Sequence, residues 1–144
     1  MVTITQAKKR DLSEVLGLLR KVGLPVKGVD DQLHNFFVAR EKSDLKGCGG
    51  LEAYGNVGLI RSVAVDPPFQ GQGLGHSIVR SLEALAAEKN LSEIYLLTET
   101  AETFFAELGY VTIHRDSANP DIKRSSEFAS LCPASAACMK KTLR

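Results

Sequence analysis

The segment QGQGLG at residues 70–75 lies between an apolar run and a segment with helical periodicity. The apolar run covers residues 58–65, a turn containing Asp66 and two prolines follows, and the predicted helix covers residues 77–89. A glycine-rich turn in this position exposes backbone N–H groups at a helix N-terminus, which carries a partial positive charge. The segment therefore predicts a binding site for a phosphate or pyrophosphate group.

The spacing of the glycines excludes two common phosphate-binding loops. A P-loop requires Gly-Lys followed by Ser or Thr, whereas Gly75 is followed by His76. A dinucleotide-binding fingerprint requires glycine at position 76. What remains is the pattern Q-x-x-G-x-G after a V-x-V strand end and an Asp-Pro turn. Taken alone, the pattern also fits a turn that only connects a strand to a helix.

Hydrophobic periodicity predicts alternating strands and helices along the whole chain. Strands are predicted at residues 2–7, 36–40, 45–54, 57–66, 93–97, 110–114 and 136–143, and helices from residue 11 and over residues 77–89 and 100–108. We expect the second to fourth strands to form an antiparallel meander and the fifth strand to lie beside the fourth. Glycines at 47, 49 and 50 in the third strand indicate a bulge or a close backbone approach. Residues 117–127 are predicted to be irregular.

The loop pattern and this order of elements resemble the GNAT superfamily of N-acetyltransferases. The resemblance covers essentially the whole chain, and its most specific parts are residues 59–79 and the sequence FFAELGY at residues 104–110. It implies an α/β (α+β) fold with about four helices and a mixed, mostly antiparallel sheet of six to seven strands, splayed between strands 4 and 5. A chain of 144 residues suits one domain over residues 1–144.

The resemblance implies acetyl-CoA as co-substrate and no metal. In this family the pantetheine arm pairs with the backbone of the fourth strand, which here implies Val63, Ala64 and Val65. The Val63 N–H is then the candidate donor to the developing oxyanion. The residues implied around the pyrophosphate are Gln70, Gly71, Gln72, Gly73, Leu74, Gly75 and His76. Glycine is expected there because a side chain would block the approach of the backbone to the phosphates.

The family resemblance also implies that the helix carrying Phe104 and Phe105 packs over the cofactor arm. Many members have a tyrosine at the position of Phe105, and that tyrosine protonates the departing thiolate. Phenylalanine has no proton to donate, so the usual general acid is missing here. At least one of the two phenylalanines can equally be a core aromatic.

Candidate acceptor residues lie near the ends of the central strands and in the tail. They are Arg61, Ser62, Thr98, Arg124 and Ser125. Arg61 either binds an acceptor carboxylate or forms a structural ion pair, for example with Glu52. Glu52 and Glu99 are the carboxylates best placed to receive a proton from the attacking ammonium, or else they are solvated or paired carboxylates.

The tail further resembles the arsenic-resistance branch of the superfamily, whose relatives acetylate amino-acid-like compounds, including an organoarsenical related to phosphinothricin. We therefore predict an N-acetyltransferase for a small primary amine, with direct attack in a ternary complex. The alternatives are a protein or peptide N-acetyltransferase and a non-catalytic acyl-CoA- or metalloid-binding module. Cys132 and Cys138 are better explained as buried small residues than as ligands, and Cys48 as a core residue.

Charge and hydropathy exclude other partner classes. The formal net charge is +1 and no basic tract is present, which argues against nucleic acid. No apolar run is long enough for a membrane helix, and no signal peptide is visible, so we expect no membrane association and a cytoplasmic location. Family members are often dimers, which makes a homodimer possible.

Overall fold

The computed structural model describes residues 1–126, 128–129 and 135–143. The strands are β1 (Val2–Gln6), β2 (Phe36–Glu41), β3 (Asp44–Tyr54), β4 (Val57–Val65), β5 (Glu93–Thr98), β6 (Val111–Ile113) and β7 (Ala137–Thr142). The α-helices are α1 (Leu12–Lys21), α2 (Leu74–Glu88), α3 (Glu102–Glu107) and α4 (Pro120–Lys123). Each strand and helix predicted from periodicity is present. Among the described residues, no helix is long and apolar enough to cross a membrane.

The structure differs most from the predicted elements in two places. Helix α2 begins at Leu74 instead of residue 77, because the Ser77 N–H already donates to the Gly73 carbonyl at 3.2 Å. The region 117–127, predicted to be irregular, contains α4. Asn119 caps α4 by accepting a hydrogen bond from the Asp121 N–H at 2.8 Å, and Pro120 follows the cap. A helix of four residues is too short to show periodicity.

The strands form one seven-stranded sheet in the order β1-β2-β3-β4-β5-β7-β6. The β1–β2, β2–β3, β5–β7 and β6–β7 pairs are antiparallel, and β4–β5 is parallel. The sheet is therefore mixed and mostly antiparallel, as predicted. Parallel pairing covers three residue pairs, from Val57–Glu93 to Leu59–Tyr95, whereas β5 stays paired with β7 as far as Thr98. The predicted divergence of strands 4 and 5 requires such an early end to their pairing.

The chain divides into two compact units. The first unit consists of residues 1–51 and 62–85, and the second of residues 52–61 and 86–144. Strands β3 and β4 contribute residues to both. The expectation of a single domain over residues 1–144 stays a prediction.

In the first unit, α1 and the sheet bury a common apolar cluster. Its members are Ala7, Val15, Leu18, Leu19, Val29, Leu33, Phe36, Val38, Cys48 and Ala64. The glycines of β3 give the neighbouring side chains room: a Cβ at Gly49 would lie 2.7 Å from a methyl group of Ile78, and one at Gly50 would overlap the Phe36 ring. Both features that these glycines predicted as alternatives occur at Gly47: a Cβ there would lie 3.0 Å from the Ala64 carbonyl oxygen, and the β2–β3 register shifts next to it, between the pairs Ala39–Gly47 and Arg40–Leu45.

In the second unit, a separate apolar cluster packs against β4, β5 and β7. Its buried members are Val57, Leu59, Tyr95, Ala118, Ile122 and Cys138. Helix α3 ends as predicted, with Gly109 at φ +96°. The Tyr110 N–H donates to the Phe105 carbonyl and the Gly109 N–H to the Ala106 carbonyl, both at 3.1 Å, which is the Schellman pattern of helix termination.

Candidate active site

The second half of strand β4 contains a residue in the left-handed conformation. Ser62 has φ +61° although it is not glycine, and it is buried. Its carbonyl accepts a weak hydrogen bond from the thiol of Cys48, at 3.4 Å. A left-handed serine inside a strand costs about 1–3 kcal/mol and persists only when its surroundings impose it. Such strain concentrates at functional sites, and here it directly precedes Val63.

The glycine-rich loop follows β4 through a short 3-10 helix, Pro67–Phe69. Gly71 and Gly73 have φ values of +81° and +82°, and a Cβ at either position would meet no other atom within 4 Å. Both residues are exposed. The backbone conformation itself therefore favours glycine at these two positions, and the space around them is open to a ligand.

The predicted cofactor residues of the first unit differ in their exposure. Ala64 is buried, and the half-buried residues are Val63, Val65, Leu74, Gly75 and His76. Gln70 and Gln72 are exposed. Although Gln70 is exposed, its side chain turns back along the surface towards β4, where its Nε2 donates to the Val65 carbonyl at 3.0 Å. Gln70 thus ties the loop to the end of β4, and that carbonyl, predicted to pair with pantetheine, already accepts one hydrogen bond.

In the second unit, Glu52 and Arg61 form a buried ion pair. Arg61 Nη1 lies 2.9 Å from Glu52 Oε2, and the two side chains are 1% and 7% exposed. The Tyr54 hydroxyl donates to the other carboxylate oxygen, Oε1. The ion pair expected as one alternative for Arg61 is therefore present, and binding of an acceptor carboxylate by Arg61 stays a prediction. Because both oxygens of Glu52 have a donor, this carboxylate holds Arg61 and Tyr54 in place.

Tyr54 was missed by the sequence reasoning. The available signal was its i, i+2 spacing from Glu52, because residues two apart in a strand lie on the same face. The other proposed carboxylate, Glu99, is exposed at the end of β5. The neighbouring Thr98 hydroxyl accepts a hydrogen bond from the Ala101 N–H at 3.0 Å, so it supports the start of α3.

The two phenylalanines of α3 belong to an aromatic cluster. The ring of Phe105 makes edge-to-face contacts with Phe104 at 4.9 Å and with Tyr110 at 5.6 Å between centroids. Phe105 is 5% exposed, whereas Phe104 is half-buried. The core interpretation therefore holds for Phe105, and Phe104 is the more accessible ring.

The two tail residues predicted to bind the acceptor differ in their exposure and in their partners. Arg124 is exposed and forms an ion pair with Asp121. Ser125 is 2% exposed, and its hydroxyl accepts a hydrogen bond from the Phe128 N–H at 3.2 Å. Each side chain thus has a structural partner within the second unit.

Two of the cysteines are buried. Burial raises the pKa of the Cys48 thiol to about 12 and also raises the pKa of Cys138. Burial thus disfavours the thiolate form at both positions and supports the interpretation of these two cysteines as core residues. Cys132 lies outside the described residues. Within the described ranges, no group of three or more His, Cys, Asp or Glu side chains could hold a metal ion.

The fold and the loop define an acyl-transferase of the acetyltransferase type. Residues 32–112, more than half of the chain, match the family model described as "Acetyltransferase (GNAT) domain". The protein belongs to the GNAT family of acetyltransferases.

Three similar proteins illustrate this membership. An uncharacterized N-acetyltransferase of Chlorobaculum tepidum is 32% identical over 82% of this chain and 77% of its own length. An amino-acid acetyltransferase of Mycobacterium tuberculosis is 40% identical over 58% of this chain, which spans about half (49%) of that relative. The structure of Rv2747 from Mycobacterium tuberculosis, solved in complex with CoA, has a TM-score of 0.86 at 26% identity and covers 99% of both chains.

Proposed function

We propose that this acetyltransferase transfers the acetyl group of acetyl-CoA to the primary amine of a small, amino-acid-like molecule. The observation that carries the proposal is the exposed loop with Gly71 and Gly73 in the left-handed conformation, directly before α2. This arrangement supplies backbone N–H donors and a positive helix end for a pyrophosphate. Rv2747, solved with CoA, supports the choice of cofactor.

Within the first unit, we assign the pyrophosphate to the backbone amides of Gln72, Gly73, Gly75 and His76. Gly71 and Leu74 complete the turn. The Val63 N–H is assigned to the thioester carbonyl, where a fixed donor stabilises the tetrahedral oxyanion more than the flat ground state. The left-handed Ser62 supports this role, because it redirects the backbone immediately before Val63.

For the acceptor, we propose an amino acid or a close analogue whose α-amino group attacks the thioester. The named activity of the mycobacterial relative supports this class. The guanidinium of Arg61, held by Glu52, is our candidate for reading the acceptor carboxylate. Phosphinothricin and related arsenicals, suggested by the tail sequence, are members of the same chemical class.

In this proposal, solvent takes part in both proton transfers and the protein supplies no general acid. The ammonium must lose its proton before attack, and the exposed Glu99 can pass that proton to solvent. Phe105 has no proton to donate, so the departing thiolate takes its proton from water. Positioning of the two substrates then supplies much of the rate.

The test is thiol release from acetyl-CoA in the presence of separate amine classes. The panel contains L-glutamate, L-glutamine and phosphinothricin, their decarboxylated amines, a polyamine, and peptides with free N-termini. We expect turnover with the amino acids and little with the decarboxylated amines. Turnover with peptides alone would replace the proposal with a protein acetyltransferase. CoA binding without turnover of any amine would favour a non-catalytic acyl-CoA-binding module.

A further inference from the structure

Four side chains surround the entrance of the glycine-rich loop and have no part in the chemistry described above. They are Lys21 of α1, Lys46 of β3, and Asp66 and Phe69 of the turn that precedes the loop. The Lys21 ammonium lies 2.6 Å from the Asp66 carboxylate, and the Lys46 ammonium lies 3.6 Å from the centroid of the Phe69 ring. We call these four residues the loop brace.

The backbone of β3 bonds to the loop at its entrance and lies close to it at its exit. At the entrance, the Asp66 N–H donates to the Lys46 carbonyl at 2.8 Å. At the exit, a Cβ at Gly47 would lie 3.6 Å from the side chain of Leu74, the first residue of α2. The dipeptide 46–47 therefore lies against both the start and the end of the loop.

The turn itself is closed by local hydrogen bonds. The Phe69 N–H donates to the Asp66 carbonyl at 2.8 Å, and the Gln70 side chain donates to Val65 at 3.0 Å. The loop brace adds contacts from α1 to Asp66 and from β3 to Phe69, so two residues of this turn are also held by other elements. The glycines that follow are exposed and lack side chains that could order the loop.

We propose that Lys46 and Lys21 are positioning residues that preorganise the glycine-rich loop, and that they act through Phe69 and Asp66 without contacting the cofactor. A preformed loop pays less ordering entropy when it closes on a pyrophosphate. The functional half of this inference rests on the proposed use of acetyl-CoA. The structural half, that the loop is held by these contacts, does not.

The first experiment measures CoA affinity by calorimetry for Lys46→Gln, Phe69→Leu and the double variant. A cation–π contact at a partly exposed site corresponds to about a two- to fivefold change in Kd. We expect each single variant to raise the Kd for CoA by this factor. The double variant should have the same Kd as either single variant, because both substitutions remove the same contact. Lys46→Arg keeps a cation over the ring, so its Kd for CoA should equal that of the wild type.

A direct contact between Lys46 and a phosphate gives a different result. In that case Lys46→Gln would weaken CoA binding further in the Phe69→Leu background, and this outcome would overturn the proposal. Lys89→Met removes one positive charge at an exposed position after α2 and serves as the charge-matched control. Kinetically, the KM for acetyl-CoA should rise in the brace variants while kcat and the acceptor KM stay unchanged.

The second experiment needs no cofactor. Amide hydrogen exchange is measured over residues 66–76 in the free protein, for the wild type, Lys21→Gln and Lys46→Gln. We expect exchange in this segment to become about two- to fivefold faster in both variants, with β1 and β2 unchanged. Unchanged exchange in residues 66–76 would overturn the brace. A wild-type protein that binds no CoA would refute the proposed function, and the exchange result would still decide the inference.

Discussion

The buried pair of Glu52 and Arg61 allows a quantitative test of its role. Removing one partner of a buried ion pair leaves the other charge without compensation and costs about 3–5 kcal/mol. The pair qualifies, since its side chains are 7% and 1% exposed and its N–O distance is 2.9 Å. We therefore expect Arg61→Met to lower the free energy of unfolding by about 3–5 kcal/mol.

The double variant separates pairing from simple loss of packing. Replacing both partners by apolar residues of similar volume is often neutral, so Glu52→Met with Arg61→Met should not be less stable than Arg61→Met alone. Loss of the acceptor for the Tyr54 hydroxyl adds about 1–3 kcal/mol to both Glu52 variants. Urea unfolding followed by circular dichroism measures all four corners of the cycle. Additivity of the single effects within about 0.5 kcal/mol would refute the pairing argument.

The same pair has an enzymatic readout. Glu52→Gln keeps an acceptor for Tyr54 but removes the charge that holds Arg61. If Arg61 reads an acceptor carboxylate, this variant should raise the acceptor KM and leave the acetyl-CoA KM unchanged. Glu88→Gln, at the exposed end of α2, is the matched control. Equal acceptor KM values in the two variants would remove Arg61 from the acceptor site.

Three further predictions concern single positions. Gly73→Glu should abolish CoA binding measured by calorimetry, whereas Gly23→Glu, at an equally open glycine with φ +78°, should bind CoA normally; equal loss in both would remove the loop assignment. Ser62→Val should be about 1–3 kcal/mol less stable in urea than Ser62→Gly, because only glycine adopts this conformation without strain, and equal stability would contradict that strain. Burial, with a hydrogen bond to Glu93, raises the pKa of Tyr95 to about 12, so the unfolded state releases this proton first and the free energy of unfolding falls between pH 10 and 12. Over that range, Tyr95→Phe should lose about 2–3 kcal/mol less of its free energy of unfolding than the wild type, and parallel curves of stability against pH would refute the shift.

The sequence was sufficient to predict the elements and the loop because both depend on local patterns. Alternation of apolar and polar residues identifies β1, a continuous apolar run identifies β4, and the i, i+3, i+4 stripe identifies α1. The loop was predictable from Gly71 and Gly73 because the left-handed backbone conformation is a preference of the single residue and does not depend on distant contacts. Helix α4 was missed because its only signals are a cap and a proline, and these signals also occur in turns.

The side-chain partners could not be predicted with the same success, because they depend on contacts between distant parts of the chain. The pairing of Arg61 with Glu52 was one of two open alternatives, and the third member, Tyr54, was not considered. The hydrogen bond from Gln70 back to Val65 was also missed, since a family pattern assigns that glutamine to the cofactor. In each case the residue type was informative, but its direction depended on the packed structure.

This difference matches the chemistry assigned to the two units. In the first unit the proposed ligand groups are backbone amides, so their sequence requirement is glycine at defined positions and little else. In the second unit, the group proposed to bind the acceptor is the charged side chain of Arg61. Its orientation depends on Glu52, which also accepts a hydrogen bond from Tyr54. Substitutions that change the acceptor should therefore fall among the side chains around Arg61, whereas Gly71 and Gly73 of the loop should tolerate few changes whatever the acceptor is. A selection for activity on a new amine, followed by sequencing of the variants that survive, tests this division directly.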